Sequence, residues 1–375
     1  MMEWSELFPE VLDIIARKCI TSYEDYPGFA GVCKSWRLAA ARTYRNSNGP
    51  PSRLPSFMLV DRSADQESRE LFLLSNKSIR KIRLPEVYGK ACRSSCGWLL
   101  TVGEDFSSQL INPLSREVIN LPKADTFPDN PLEWADTISN VVLLMESKMV
   151  LVIWGFPKKL GFCHIGDNKW TSVEQPFYKS ILDITFYNGQ VYTLNCFDKK
   201  IQACNVNGKH PTALVDIATM PEDVYEGEPY DVGSRRAYIV GLDDGERKQL
   251  LVIIRFRKLN KPKSFIRFFK LNKPKSFKVF AYDLESGSWS KVKDFGKKTL
   301  FVGCGSSFWI EDTTGVIKGN GIYYIDTEYL NHPDGRVVGV RYTGIYYHMS
   351  NGTIEPHFTR ESRSHFTPPL WLQSM

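Results

Sequence analysis

Apolar positions in the first 41 residues recur at helical spacing. Leu7, Val11, Ile14 and Ile15 fall at i, i+4, i+7 and i+8, which makes one face of a helix. Pro9 sits in the first turn, where its missing N–H would be unpaired in any case. Phe29, Val32, Cys33 and Trp36 repeat the spacing in a second helix that ends in the basic residues Lys34 and Arg37. Two short amphipathic helices cannot bury all of these faces against each other. A partner or the rest of the chain must cover the remainder.

The pattern then changes period. Residues 42–56 are rich in Pro, Ser, Asn and Gly and read as a linker. Beyond them, short β-branched and aromatic runs alternate with turn signals, the text of an all-β sandwich, barrel or propeller. Phe57 to Val60, Val141 to Met145, Met149 to Trp154, Gln190 to Leu194, Leu250 to Phe256 and Val337 to Tyr342 are such runs. Asn188-Gly189, Asn207-Gly208, Asn320-Gly321 and Asn351-Gly352 each predict a type I′ hairpin, because Asn-Gly supplies two positive φ angles. Gly321-Ile322-Tyr323-Tyr324 is echoed by Gly344-Ile345-Tyr346-Tyr347, and the polar turn before Trp170 by the one before Trp289. A unit of strand, polar turn, Trp, strand, hairpin and aromatic strand runs from Phe162 to Asn205 and again from Phe277 to Asp326. Imperfect repeats of about 40–50 residues built from hairpins favour a β-propeller over a β-sandwich. No Gly-Gly and no Trp-Asp doublet occurs, so strict kelch and WD signatures are absent. The division this predicts is a helical module at 1–45, a linker at 46–56 and a propeller-like domain at 57–375.

Composition changes the picture little. A chain 42% hydrophobic and 24% charged has an ordinary globular make-up, and 375 residues allow two or three domains, or one small module plus one large domain. No run of 18 apolar residues suggests a membrane span. Glu3 and Glu6 stand where a leader peptide would be basic. The eight cysteines are scattered through helical and strand-like text, which reads as reduced thiols and a location in the cytoplasm or nucleus. The sequons at Asn76 and Asn351 then have no glycosylation to receive.

Charge is local. The net charge of +6 comes from residues 255–278, which hold ten Lys or Arg and no acid; without them 38 basic residues face 42 acidic ones. Residues 255–266 (RFRKLNKPKSFI) are repeated at ten of twelve positions by 267–278 (RFFKLNKPKSFK), a tandem duplication. A basic-aromatic arm suits phosphate backbones, acidic partners or nuclear import, but a nucleic-acid domain would spread its charge over a face. A solvated hairpin extension at a blade edge is the favoured reading, with nucleic acid disfavoured.

Catalytic patterns are missing. The six histidines make no zinc-like spacing with the cysteines, and Cys92-x-x-x-Cys96 has no partner pair. Cys163-His164 reads as a strand dipeptide. There is no Gly-x-Ser-x-Gly elbow and no phosphate loop. Gly303-Cys304-Gly305-Ser306 offers a thiol in a turn with no base to activate it. No enzyme activity, metal or cofactor is expected.

The N-terminal text resembles the F-box, the motif by which substrate receptors dock on the Skp adaptor of cullin-type ubiquitin ligases. The family opens with a Leu-Pro-x-Glu-Leu-like turn and closes with Val-Cys-Lys-x-Trp-Arg. This chain has Leu7-Phe8-Pro9-Glu10-Val11-Leu12 and Val32-Cys33-Lys34-Ser35-Trp36-Arg37, departing only in the opening, where Phe8 replaces a leucine. The later text resembles plant F-box proteins with a kelch-like C-terminal domain. It shares Cys96-Gly97-Trp98-Leu99, Ile111-Asn112-Pro113-Leu114, Phe301-Val302-Gly303 with Ser306-Ser307-Phe308, Gly321 to Tyr324, and Pro368-Pro369-Leu370-Trp371. The resemblance implies a non-catalytic receptor that binds a Skp-family adaptor, through it a cullin, and a protein substrate whose identity the sequence does not give. It implies adaptor contacts at Leu7, Phe8, Pro9, Glu10, Val11, Ile14, Val32, Cys33, Trp36 and Arg37, with Trp36 as the hot spot. The rival readings are a propeller interaction protein that meets nucleic acid through the 255–278 arm, and a propeller enzyme or lectin marked by polar residues at an axial pocket.

Overall fold

The computed structural model describes residues 4, 7–20, 25–46, 54–59, 67–113, 115–128, 138–175, 180–195, 198–225, 236–243, 245–259, 271–311, 315–331, 337–362 and 368–373. Three helices come first: α1 (Pro9–Cys19), α2 (Asp25–Ala30) and α3 (Lys34–Asn46). Pro9 is the first residue of α1, so its missing donor costs nothing. The second predicted helix is in fact two. The chain breaks at 31–33: the Val32 N–H reaches back to the Phe29 carbonyl, and Cys33 offers its carbonyl to the Arg37 N–H. Lys34 and Arg37 therefore open α3 instead of ending a helix.

The predicted β domain is a six-bladed propeller. Blade one holds β1 (Ser56–Met58), β2 (Ser68–Leu73) and β3 (Ser78–Arg83); blade two holds β4 (Ala91–Ser95), β5 (Trp98–Val102), β6 (Ser108–Ile111) and β7 (Val118–Leu121). Blade three is β8 (Ile138–Leu144), β9 (Met149–Trp154), β10 (Lys159–His164) and β11 (Thr171–Ser172); blade four is β12 (Ile181–Tyr187), β13 (Gln190–Asn195), β14 (Lys200–Asn205) and β15 (Val215–Thr219). Blade five is β16 (Arg236–Asp243), β17 (Lys248–Leu259), β18 (Leu271–Asp283) and β19 (Trp289–Val292). Blade six has five strands: β20 (Lys298–Phe301), β21 (Phe308–Glu311), β22 (Gly321–Asn331), β23 (Val337–His348) and β24 (Ile354–Ser362). In it β20 runs parallel to β22 and carries β21 on its inner side. The last strand, β25 (Leu370–Leu372), pairs antiparallel with β1, so the two ends of the β domain share one blade and close the ring.

Strand alternation explains where the core lies. Each blade buries one set of side chains against the blade before it and the other against the blade after, as period-two alternation requires. Six apolar clusters result, one per blade–blade seam. Trp98, Leu110, Val141, Val152 and Trp154 fill the seam between blades two and three; Phe57, Phe301, Tyr323, Tyr346 and Trp371 fill the seam that closes the ring. A seventh cluster, Leu12, Ala16, Ile20, Phe29, Ala30, Ala39 and Ala40, belongs to the helices alone.

The repeats seen in sequence have two different meanings. Trp170 stands just before the outermost strand of blade three and Trp289 opens the outermost strand of blade five, so that echo is a blade equivalence. The Gly-Ile-Tyr-Tyr echo is instead a cross-strand pair, with Tyr323 directly opposite Tyr346 in β22–β23. Of the Asn-Gly turns, only Asn188-Gly189, at φ 47° and 78°, joins adjacent strand ends as a two-residue hairpin. Asn207-Gly208 lies in a longer turn with no positive φ, Asn320 precedes β22, and Asn351-Gly352 sits in a wider connection.

Candidate functional site

Helix α1 has two faces, not one. Leu12, Ala16 and Ile20 turn inward with Leu7 and Ile15 packed beside them, while Phe8, Val11 and Ile14, spaced by three, share the outer face. Trp4, Phe8, Val11, Ile14, Val32 and Leu38 stand exposed, between 40% (Val11) and 70% (Trp4). Pro9, Glu10 and Arg37 are also exposed, and Cys33 is half-buried. Trp36 is half-buried: it packs on Phe29 at 4.6 Å and on Trp4 at 6.5 Å between ring centroids, and donates its indole N–H to the Trp4 carbonyl at 3.0 Å. The Arg37 guanidinium donates to the Ala30 carbonyl at 3.3 Å and ties α3 to the end of α2. Arg42 grips Asp13 with two donors, at 3.1 and 2.9 Å, which locks α3 to α1. The module is thus held from within while its outer apolar surface is left uncovered. Trp4 and Leu38 were not singled out by sequence reasoning; no periodicity marks them, since one precedes α1 and the other falls next to the buried Ala39.

The basic duplication is anchored in the core. Arg255, Phe256 and Phe277 are buried, and the Arg255 guanidinium donates to the Ile325 carbonyl at 2.9 Å and lies over the Tyr324 ring. Arg255 thus belongs to the seam between blades five and six, not to a solvated arm. Strands β17 and β18 continue past it, pairing Arg257 with Pro274 and Leu259 with Leu271. The rest of the duplication, 260–270, lies outside the described residues.

Burial also explains the cysteines. It pushes the Cys92 thiol up to about 11, the Cys204 thiol up to about 11, and the Cys163 thiol far above its ordinary range. Protonated thiols of this kind are poor nucleophiles and poor ligands. The turn at Gly303-Cys304-Gly305-Ser306 has a structural role that sequence did not show. Gly305 has φ 124°, and a Cβ there would sit 2.4 Å from the Ser94 carbonyl oxygen. Ser306 donates its N–H to that oxygen at 2.8 Å, and its hydroxyl reaches the Val141 carbonyl at 2.7 Å. One tight turn from blade six therefore staples blades two and three at the axis.

A cavity of about 270 Å³ opens at the axis, lined by the innermost strands or their ends from all six blades. Elsewhere in β12, the Asp183 carboxylate is buried; it accepts from Asn140 of blade three and, at 2.9 Å, from the Ile239 N–H of blade five. Burial outweighs these donors and pushes the carboxyl up to about 7.

A family model described as the KIB1-4 beta-propeller matches residues 71–347. The Arabidopsis thaliana F-box protein SKIP23 is 23% identical over an alignment covering 100% of this chain and 96% of its own length. At5g55150 of the same plant, named as a candidate F-box protein, is 25% identical and covers 86% of this chain and 85% of itself. Among solved structures, a Lactobacillus plantarum protein aligns with 85% of this chain and 98% of itself at 12% identity and a TM-score of 0.41.

Proposed function

The chain belongs to the KIB1-4 β-propeller family, and from that membership and its N-terminal helices we propose that it is the substrate-recognition subunit of an SCF-type cullin ubiquitin ligase. The observation that carries this reading is the uncovered apolar face of a module that is already packed internally. A helix that exposes Phe8, Val11 and Ile14 needs a partner, and a Skp-family adaptor is the partner its F-box relatives imply. Phe8, Val11, Ile14 and Val32 are the anchors of this interface. Leu7, Cys33 and Trp36 shape it from behind, and Pro9, Glu10 and Arg37 lie at its rim. Trp36, wedged between Phe29 and Trp4, braces the surface more than it projects from it.

The receptor performs no bond-making chemistry in this scheme. It raises the effective concentration of substrate lysines near the ubiquitin thioester held elsewhere on the cullin. The same proposal assigns the chain to the cytoplasm or nucleus and the protein substrate to the propeller.

The test is capture of a purified plant Skp adaptor by the full chain and by a Phe8→Asp/Ile14→Asp variant. The expected result is saturable binding that drops at least tenfold in the variant while its thermal midpoint is unchanged. Failure of the intact chain to bind, or equal binding by the variant, would overturn the reading.

A further inference from the structure

The axial cavity is uncharged, partly apolar and incompletely satisfied. Val142, Leu143 and Val240 supply its apolar lining, and Phe186, 43% exposed, stands among them. Among the described residues no Asp, Glu, Lys, Arg or His lines it, and burial pushes the Cys96 thiol above its ordinary range, which keeps it neutral at pH 7. Several polar groups are already engaged. The Trp309 indole donates to the Gly241 carbonyl at 3.0 Å, Ser306 is held by Val141, and the Ser95 hydroxyl accepts from the Leu143 N–H at 3.1 Å. Ser307 differs from these: it is only 6% exposed, lines the cavity, and its hydroxyl has no hydrogen-bond partner among the described residues. A buried hydroxyl without a partner is costly, so a ligand that pairs it recovers part of that cost.

Size and neutrality narrow the occupant. Pockets for drug-sized molecules run from about 300 to 1,000 Å³, so 270 Å³ suits a single protruding group better than an oligosaccharide. An ionised group would lose its hydration in a site whose described lining offers no counter-charge. Resting on the receptor reading above, we propose that this cavity takes one uncharged side chain of a protein substrate. That side chain has an apolar body and a hydrogen-bonding end, as tyrosine and glutamine do. The ring or methylene body lies against Val142, Leu143 and Phe186, and the polar end meets Ser307.

N-acetyl amino-acid amides serve as probes, titrated into the full chain with saturation-transfer NMR as the readout. N-acetyltyrosinamide and N-acetylglutaminamide are expected to bind saturably, and the lysine and glutamate counterparts at least fivefold more weakly. Ser307→Val should weaken the neutral probes at least threefold. Gln373→Trp, which adds a ring at the lining, should abolish their binding with an unchanged thermal midpoint. N-acetylglucosamine is the free-sugar arm: binding by it alone would overturn the side-chain assignment. Equal binding of charged and neutral amides, or no binding of either neutral amide, would overturn it too. Adaptor capture by the same preparation separates the two proposals, since a chain that holds the adaptor but no amide loses only this one.

Discussion

The helical module and the propeller treat apolar surface in opposite ways. The propeller packs most of its aliphatic and aromatic residues into six seams, though Phe156 and Val215 stand exposed, and its two chain ends are joined by β25 on β1. The helices hide mainly alanines and a few larger residues, and leave Phe8, Ile14 and Val32 in the open. One region closes on itself, and the other leaves an apolar face that the proposed partner would cover. The difference is set by geometry: a closed ring of sheets has a neighbour for both faces of every blade, whereas three short helices have too few faces to cover one another.

The largest effect expected from breaking this contrast is at the ring's closure. Trp371 is buried against Phe57, Phe301 and Tyr323 and donates its N–H to the Val302 carbonyl at 3.2 Å. Trp371→Ala should cost about 3–5 kcal/mol of propeller stability, read from denaturant unfolding. Leu12→Ala should cost the module about 2–5 kcal/mol by the same mechanism and reduce adaptor capture as a consequence. Phe8→Asp with Ile14→Asp should change stability by no more than about 0.5 kcal/mol. Large destabilisation by the outer pair would mean that the module's outer face is covered within the chain, and the contrast would fail.

A smaller loss is expected at the axial staple. Gly305→Ala places a methyl group against backbone that cannot swing aside, at a φ that side chains rarely adopt. The substitution should cost more than about 1 kcal/mol, whereas Gly245→Ala, at φ 86° with open space around it, carries only the φ penalty. Equal midpoints for the two variants would show that the staple does not hold the ring.

How much of this was legible depended on the distance between partners in sequence. The helical spacing of Val11 and Ile14 and the alternating strands are local, and both could be read directly. The assignment of Phe8 and Ile14 to one face and Leu12 and Ile15 to the other could not, because both kinds are apolar and only packing separates them. Blade number was hidden because the hairpin signal held at Asn188-Gly189 and not at the other three Asn-Gly pairs. Arg255 looked like the start of a basic arm because composition counts charge without seeing Ile325, 70 residues away. The axial cavity draws between one and four residues from each blade, and no window of sequence holds it.

Acidity offers a weaker lever on the propeller alone. An unfolded Asp titrates near 3.9, and Asp183 in the ring titrates near 7. Between those values the folded state keeps a proton that the unfolded state has released, so this group's contribution to stability is fully present below about pH 4 and is lost as pH rises through 7. Thermal midpoints measured from pH 5 to 8 should therefore fall for the native chain. Asp183→Asn, which removes the titration, should flatten this slope; an unchanged slope would assign it to another group.

The smallest expected effect lies where the two regions meet. Asp25 of α2 and Arg80 of β3 form an ion pair at 2.8 Å, with both side chains partly exposed. Such a pair gains little over hydration, and a double-mutant cycle should give a coupling below about 1 kcal/mol that shrinks with added salt. The cycle matters because it asks whether module and propeller are energetically separate. If Arg80→Ala leaves both unfolding transitions and adaptor capture in place, the module is a self-contained dock that the propeller merely carries. If the variant loses capture, the propeller's edge holds the docking face in shape, and the partner completes a surface that both regions build.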